Sequence, residues 1–287
     1  MSVQKIIGLL ILAYGAAFGA YLVLRAFKNK DKMKAEHGSP LAQAIAEAAV
    51  YFLSTMGFPD FVMNTLAFKR FGWTEDGQIP PTLVAAAVTP GTIIAYSYLR
   101  NSFAIDLKLL LLCIAAAAAG SFVGANVVTG LDGQLIRKIM AVAMAFSIVA
   151  LIVKLMLSSA ASDGGEVTLV KLIIAVPVIF ALAFLNMFGV PMKAPLTALF
   201  LLLGFTPIIT LTLVLTLGVI SPIFGGISVL KNDKYVKKVA VNGVVFGSVG
   251  AVLGTMFTVT LDATLLNIIL IAIMAFTVYT LGKPKKQ

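Results

Sequence analysis

The sequence predicts an all-α integral membrane protein: two inverted-topology repeats with broken or re-entrant helices, preceded by one extra N-terminal transmembrane helix. Three observations carry that prediction. The chain is 60% hydrophobic and only 12% charged, where soluble domains run near ~45–50% and ~25%, and its mean hydropathy is +1.02. Its charges cluster between long uncharged runs. A set of Gly, Pro, Thr and Asp positions recurs at a near-constant spacing. This composition excludes a disordered chain, a disulfide scaffold and an ordinary cytosolic enzyme. With one cysteine, Cys113, and one histidine, His37, the chain offers no material for a His/Cys metal cluster or a Cys–His nucleophile pair, and no cofactor is expected.

A helix rises 1.5 Å per residue, so crossing a ~30 Å hydrocarbon core takes about 20 apolar residues. The run Ile6 to Leu24 meets this within a 1–28 N-terminal segment. It is longer than a signal-peptide core and no small-residue cleavage site follows, so it reads as a retained transmembrane helix. A basic linker, 29–41, follows with Lys30, Lys32 and Lys34, suited to anionic lipid. Ser39-Pro40 then caps a helix predicted to reach about Met56. Gly57-Phe58-Pro59 breaks it, and a short segment continues to Gly72. Gln78 to Leu99, Leu109 to Leu131 and Ile139 to Val153 supply three further spans, the last helped by snorkelling of Lys138 and Lys154. After a 159–167 linker come Leu172 to Met192, the uncharged stretch Ala194 to Leu230 interrupted by Gly204 and Pro207, Val239 to Leu261, and Ala263 to Gly282. A basic tail, 283–287, ends the chain.

The internal repeat is the strongest signal. Phe52-Leu53, Gly57, Pro59, Thr65, Phe68, Gly72 and Thr74 recur 132 positions later as Phe184-Leu185, Gly189, Pro191, Thr197, Phe200, Gly204 and Thr206. Thr89-Pro90 recurs as Ser221-Pro222. At an offset of 130, Gly120, Gly124, Leu131-Asp132 and Met144-Ala145-Phe146 recur as Gly250, Gly254, Leu261-Asp262 and Met274-Ala275-Phe276. The repeats run 42–158 and 168–282. Each holds a broken pair of segments and then three spans. Whether the pair is a re-entrant hairpin or two crossings, the number of crossings per repeat is odd, so the copies must be inverted.

Charge agrees with that topology. With the C-terminus cytoplasmic and the N-terminus outside, loops 25–38, 69–77, 130–138 and 231–238 and the tail are cytoplasmic, with 5, 2, 2, 4 and 3 basic residues. The other side holds Lys5, Arg100, Lys108, Lys154 and Lys171, a bias of the positive-inside kind. The net charge of +10 therefore reports topology in a cell membrane, not nucleic acid.

The broken first segment, the Thr/Pro-containing helix ending in Tyr98-Leu99-Arg100-Asn101, the glycine-rich Gly120-Ser121-Phe122-Val123-Gly124 and the following Leu131-Asp132-Gly133-Gln134-Leu135-Ile136-Arg137 together resemble the sulfite exporter TauE/SafE family of transporters. The second copy, with Gly250-Ala251-Val252-Leu253-Gly254 and Leu261-Asp262, fits as well. The chain departs from the family at the breaks, where many members carry a glycine cluster and this one has Gly57-Phe58-Pro59-Asp60 and Gly189-Val190-Pro191-Met192-Lys193. The resemblance implies a secondary transporter of small anions such as sulfite or sulfonates. No Walker A sequence is present to drive it with ATP. A non-transporting membrane subunit that anchors a partner complex is the alternative; an intramembrane enzyme lacks a catalytic constellation.

Inverted-repeat transporters bind substrate near the midplane, where half-helix N-termini point inward. The candidate anion site is therefore the two breaks: Gly57, Pro59, Gly189 and Pro191, with each proline expected in the first turn of its half-helix. Asn64, Thr65, Asn186, Thr197, Thr89 and Ser221 offer amides and hydroxyls to an oxyanion. Lys193, the lone charge between Lys171 and Lys231, supplies positive charge if the segment re-enters, or snorkels to the interface if it crosses. Asp60 either stabilises its helix dipole or carries a coupling proton. Glu47 either faces a wet crevice or the headgroups, or takes part in coupling. Membrane lipids and a second copy of the chain, as a homodimer, are the remaining partners considered. The glycines on the later spans read as helix-packing positions.

Overall fold

The computed structural model describes residues 2–100, 105–128, a subset of 130–149, and 166–256. Among the described residues there are helices and short connections and no strand. The helices are α1 (Val3–Lys28), α2 (Lys30–Ala35), α3 (Pro40–Ser54), α4 (Asp60–Phe71), α5 (Ile79–Leu99), α6 (Leu107–Val128), α7 (Leu169–Asn186), α8 (Lys193–Leu202), α9 (Pro207–Asn232) and α10 (Lys237–Asn242). A π-helical turn, Gly243–Gly247, joins α10 to α11 (Ser248–Met256) as one rod. Described positions from 134 to 149 are helical too. Six of these rods are long and apolar enough to cross a membrane, so the chain is a multi-pass membrane protein. The expected span Ile139 to Val153 lies partly, and Ala263 to Gly282 wholly, outside the described residues, as do the 283–287 tail and most of the 159–167 linker.

α5 and α9 are the most deeply buried spans and form the centre; α1 and α7 are the least buried. Their exposed Leu10, Leu24 and Phe27, and Leu169, Val170 and Ile173, are the lipid-facing stripe such a position requires. Helix α1 docks along α5 where glycines let the backbones approach: Gly8 faces Tyr96, Gly15 faces Thr92 and Gly19 faces Thr89.

Both broken pairs fold back on themselves. At the open end of the first pair, Gly38, just before α3, lies against Trp73, just after α4. At the open end of the second, Lys171 at the start of α7 sits 5.1 Å from the ring of Phe205, just after α8. Each pair is thus a helical hairpin with both ends on one side, a geometry that the two options left by the sequence share. The hairpins open at opposite ends. Glu36 and Val236, with Trp73, share one cavity wall at the first end, and α9 carries the chain from Phe205 across to that same end.

The breaks match in detail. Gly57 and Gly189 have φ of +88° and +85°, each donating its N–H back to the last residue of the preceding helix, Ser54 or Asn186. Gly72 and Gly204 close the second helices with φ of +64° and +80°, and Trp73 and Phe205 each donate to the carbonyl five residues earlier, Phe68 and Phe200. The prolines sit differently from expectation. Pro59 is the N-cap of α4, and Pro191 precedes the N-cap of α8, Met192. After a left-handed glycine the chain needs extended residues before helical bonding can restart, and the residue before a proline is itself held extended.

The halves also exchange contacts. Gly120 and Gly124 of α6 press on the backbone of Phe180 and Phe184 in α7, while Gly250 and Gly254 of α11 press on Ala48 and Phe52 in α3. The second pair of targets lies 132 positions before the first, so each hairpin is clasped by a span from the other half.

Candidate functional site

The hairpin tips meet beside the middle of the two central helices. Lys193 stands next to Gly218, and the lining there includes Gly91, Ile94 and Leu215. Gly91 is 12 residues into α5 and Gly218 is 11 residues into α9, which at 1.5 Å per residue places both roughly 17 Å from the helix start. Lys193 is therefore at mid-depth.

Its ammonium is fully engaged. Nζ lies 2.8 Å from Asp60 Oδ1, and donates to Ser54 Oγ at 2.6 Å and to the Phe58 carbonyl at 3.3 Å. These three acceptors use its three N–H groups. All three belong to the first hairpin, so the ion pair ties one tip to the other. The interfacial snorkelling option for Lys193 is corrected by this burial. The position is also electrostatically opposed to local structure. A cation as the first residue of α8 faces the positive end of the helix dipole, whereas Asp60 as the first residue of α4 is favoured there. Asp60 both stabilises its own helix end and neutralises Lys193.

A second set of polar contacts backs the other tip. Asn186 Nδ2 donates to the Val190 carbonyl at 2.7 Å and so holds the Gly189 turn. Ser221 of α9 donates to Asn186 Oδ1 at 2.9 Å, and Ser121 of α6 lies 2.9 Å from Ser221 Oγ. Asn186 corresponds to Ser54 across the repeat, so each tip presents one polar residue at the same place. Pro59, Asp60, Asn186, Pro191 and Lys193 line one small cavity, with Gly218.

Not every expected residue converges there. Thr89, the counterpart of Ser221, donates to the Gly15 carbonyl of α1 at 3.0 Å; the extra helix has claimed it. Thr197 donates to the Lys193 carbonyl of its own helix at 2.8 Å. Asn64 and Thr65 lie a turn further along α4, and Asn64 Nδ2 donates to Glu47 Oε2 at 3.0 Å. Glu47 is fully buried, which corrects its placement in a wet crevice or at the headgroups. Sequence reasoning missed Gly91, Gly218 and Ser121. It missed above all that Lys193 and Asp60 pair; the usable signal was that these opposite charges occupy adjacent positions of the two repeats.

A bundle of apolar spans in which two hairpin tips meet at a buried ion pair defines a multi-pass membrane protein with a polar site in its interior. The model of the sulfite exporter TauE/SafE family matches residues 61–281, and the chain belongs to that family. Searches of curated proteins and of solved structures returned no match.

Proposed function

We propose that the chain moves a small sulfur-containing oxyanion or sulfonate, with sulfite as the type, across the cell membrane by alternating access at the paired tips. The observation that carries this reading is the Lys193–Asp60 ion pair at 2.8 Å, joining the two tips at mid-depth. An oxyanion accepts hydrogen bonds and competes with the Asp60 carboxylate for the same ammonium. The N-terminus of α8 adds positive potential, and Ser54, Asn186 and Ser221 are hydrogen-bonding groups within reach of that space.

The cavities flanking the pair hold about 10 Å³ each, room for about one water. An oxyanion therefore enters only when one tip draws back from the other. Because the hairpins open at opposite ends, withdrawal of either one leads to one side of the membrane alone, which is the requirement for alternating access. We read the halves as inverted repeats in the cell membrane, N-terminus outside and C-terminus cytoplasmic. Loops 25–38, 69–77 and 231–238 support this, since they share one end and carry the clustered lysines and arginines.

The test is flux in proteoliposomes. Lys193→Gln should abolish uptake of sulfite and thiosulfate while eluting as folded protein. Wild-type flux in that variant would overturn the assignment.

A further inference from the structure

A second buried cluster stands about two helical turns back along α3 from Ser54 of the Lys193 site. Glu47 is fully buried on α3, and only its Oε2 is bonded, by Asn64. Its Oε1, Asn64 Oδ1 and Thr65 Oγ1 are closed to solvent and without a partner, and the Tyr51 hydroxyl beside Asn64 is closed to solvent as well. Among the described residues, the ionisable groups around Glu47 are Asp60 on α4 and Tyr51 on α3 itself. The rod formed by α10, the π turn and α11 covers α3 on its other side with Gly247 against Tyr51, Gly250 against Ala48, and Asn242 bonded to Gln43. The cation at the tips, Lys193, is already occupied by Asp60. An ionised carboxylate in this setting is strongly disfavoured, because burial strips its hydration and no free cation among the described residues faces it.

The duplication supplies the control. Glu47, Tyr51 and Asn64 correspond, 132 positions on, to Ile179, Ala183 and Leu196, each buried and apolar. The hairpin therefore folds without polar groups at these positions, and their presence in one half only points to a role beyond folding.

We propose that Glu47 is the proton-binding site that couples a proton to anion movement, the two crossing together. The carboxylate takes one proton from water on the side to which its hairpin is exposed and becomes the neutral acid. It returns that proton to water on the other side. Glu47, Tyr51 and Ser54 lie at i, i+4 and i+7 on one stripe of α3. Ser54, at the end of that stripe, holds Lys193, about 10 Å along the helix from Glu47. Protonation removes one negative charge from the seam an anion must approach, so proton and anion favour each other's binding. The unpartnered oxygens are closed to solvent; a proton needs no cavity, whereas a metal cation needs one. This inference rests on the reading that the anion binds at Lys193, and its test separates the two.

The full chain is reconstituted with an entrapped pH dye, and radiolabelled thiosulfate is the probe because, unlike sulfite, it does not titrate near neutrality. Two assays are run: counterflow at equal pH, which reads the anion site, and accumulation under an imposed pH gradient, which reads coupling. Glu47→Gln mimics the neutral acid. It should keep counterflow and lose gradient-driven accumulation and the dye signal by about tenfold or more, a coupling of ordinary size. Undiminished accumulation in Glu47→Gln, or accumulation driven by a sodium gradient and not by pH, overturns the proposal. Should Glu47→Gln fold poorly, Glu47→Ile with Tyr51→Ala and Asn64→Leu copies the second hairpin and should behave as the uncoupled form. Absence of counterflow in the wild type would sink the Lys193 reading instead. The proton site is then read by infrared difference spectroscopy: a protonated carboxyl stretch lost in Glu47→Gln supports it, and an unchanged spectrum refutes it.

Discussion

Lys193 and Asp60 are each costly alone and tolerable together. Removing one partner of a buried pair leaves an uncompensated charge and costs about 3–5 kcal/mol, while removing both costs far less. Lys193→Gln and Asp60→Asn should therefore each lower the unfolding midpoint in detergent, and the double variant should regain most of the loss. Additive losses would show that the two residues do not act as a pair. Lys193 was legible in the sequence because a single charge in a long apolar stretch is conspicuous. Its partner was not, because the contact joins different repeats and no local pattern encodes it. Glu47 shows the same limit: its lack of a charged counterpart was visible, its complete burial was not. Thr89 was misleading for a different reason, since helix α1 lies outside the repeat and takes that hydroxyl for itself.

At the scale of elements, the breaks could be read from Gly57, Gly189, Gly204 and the prolines, since few residues other than glycine accept a left-handed backbone. That the two tips meet could not, because it depends on how both hairpins finally pack against α5 and α9. The clasping glycines give a sharp expectation. An added methyl at Gly120 or Gly250 would meet the carbonyl of Phe180 or Ala48. Gly120→Ala and Gly250→Ala should each cost about 1–3 kcal/mol through overpacking, seen as reduced monodisperse yield. Gly130→Ala, where the nearest atom is at ordinary contact distance, should be neutral. Equal tolerance at all three would contradict the close helix approach.

For the whole molecule, topology can be checked with the one native cysteine as a silent background, since Cys113 is buried. Exposed Glu75 and Asp106 bracket α5. Cysteines placed there should label from opposite faces of sealed vesicles, Glu75→Cys from the cytoplasmic one; labelling of both from one side would reject the arrangement. The mutual clasp of the halves also has a consequence for biogenesis. The first hairpin lacks its covering rod until Gly250 and Gly254 have been made, some 200 residues after Ala48. At ~5–20 residues per second that is a wait on the order of ten seconds or more. During that interval Glu47 has no finished interior to hide in, so the nascent chain must be sheltered by lipid or by the insertion machinery. The last spans to be synthesised thus decide whether the first ones survive.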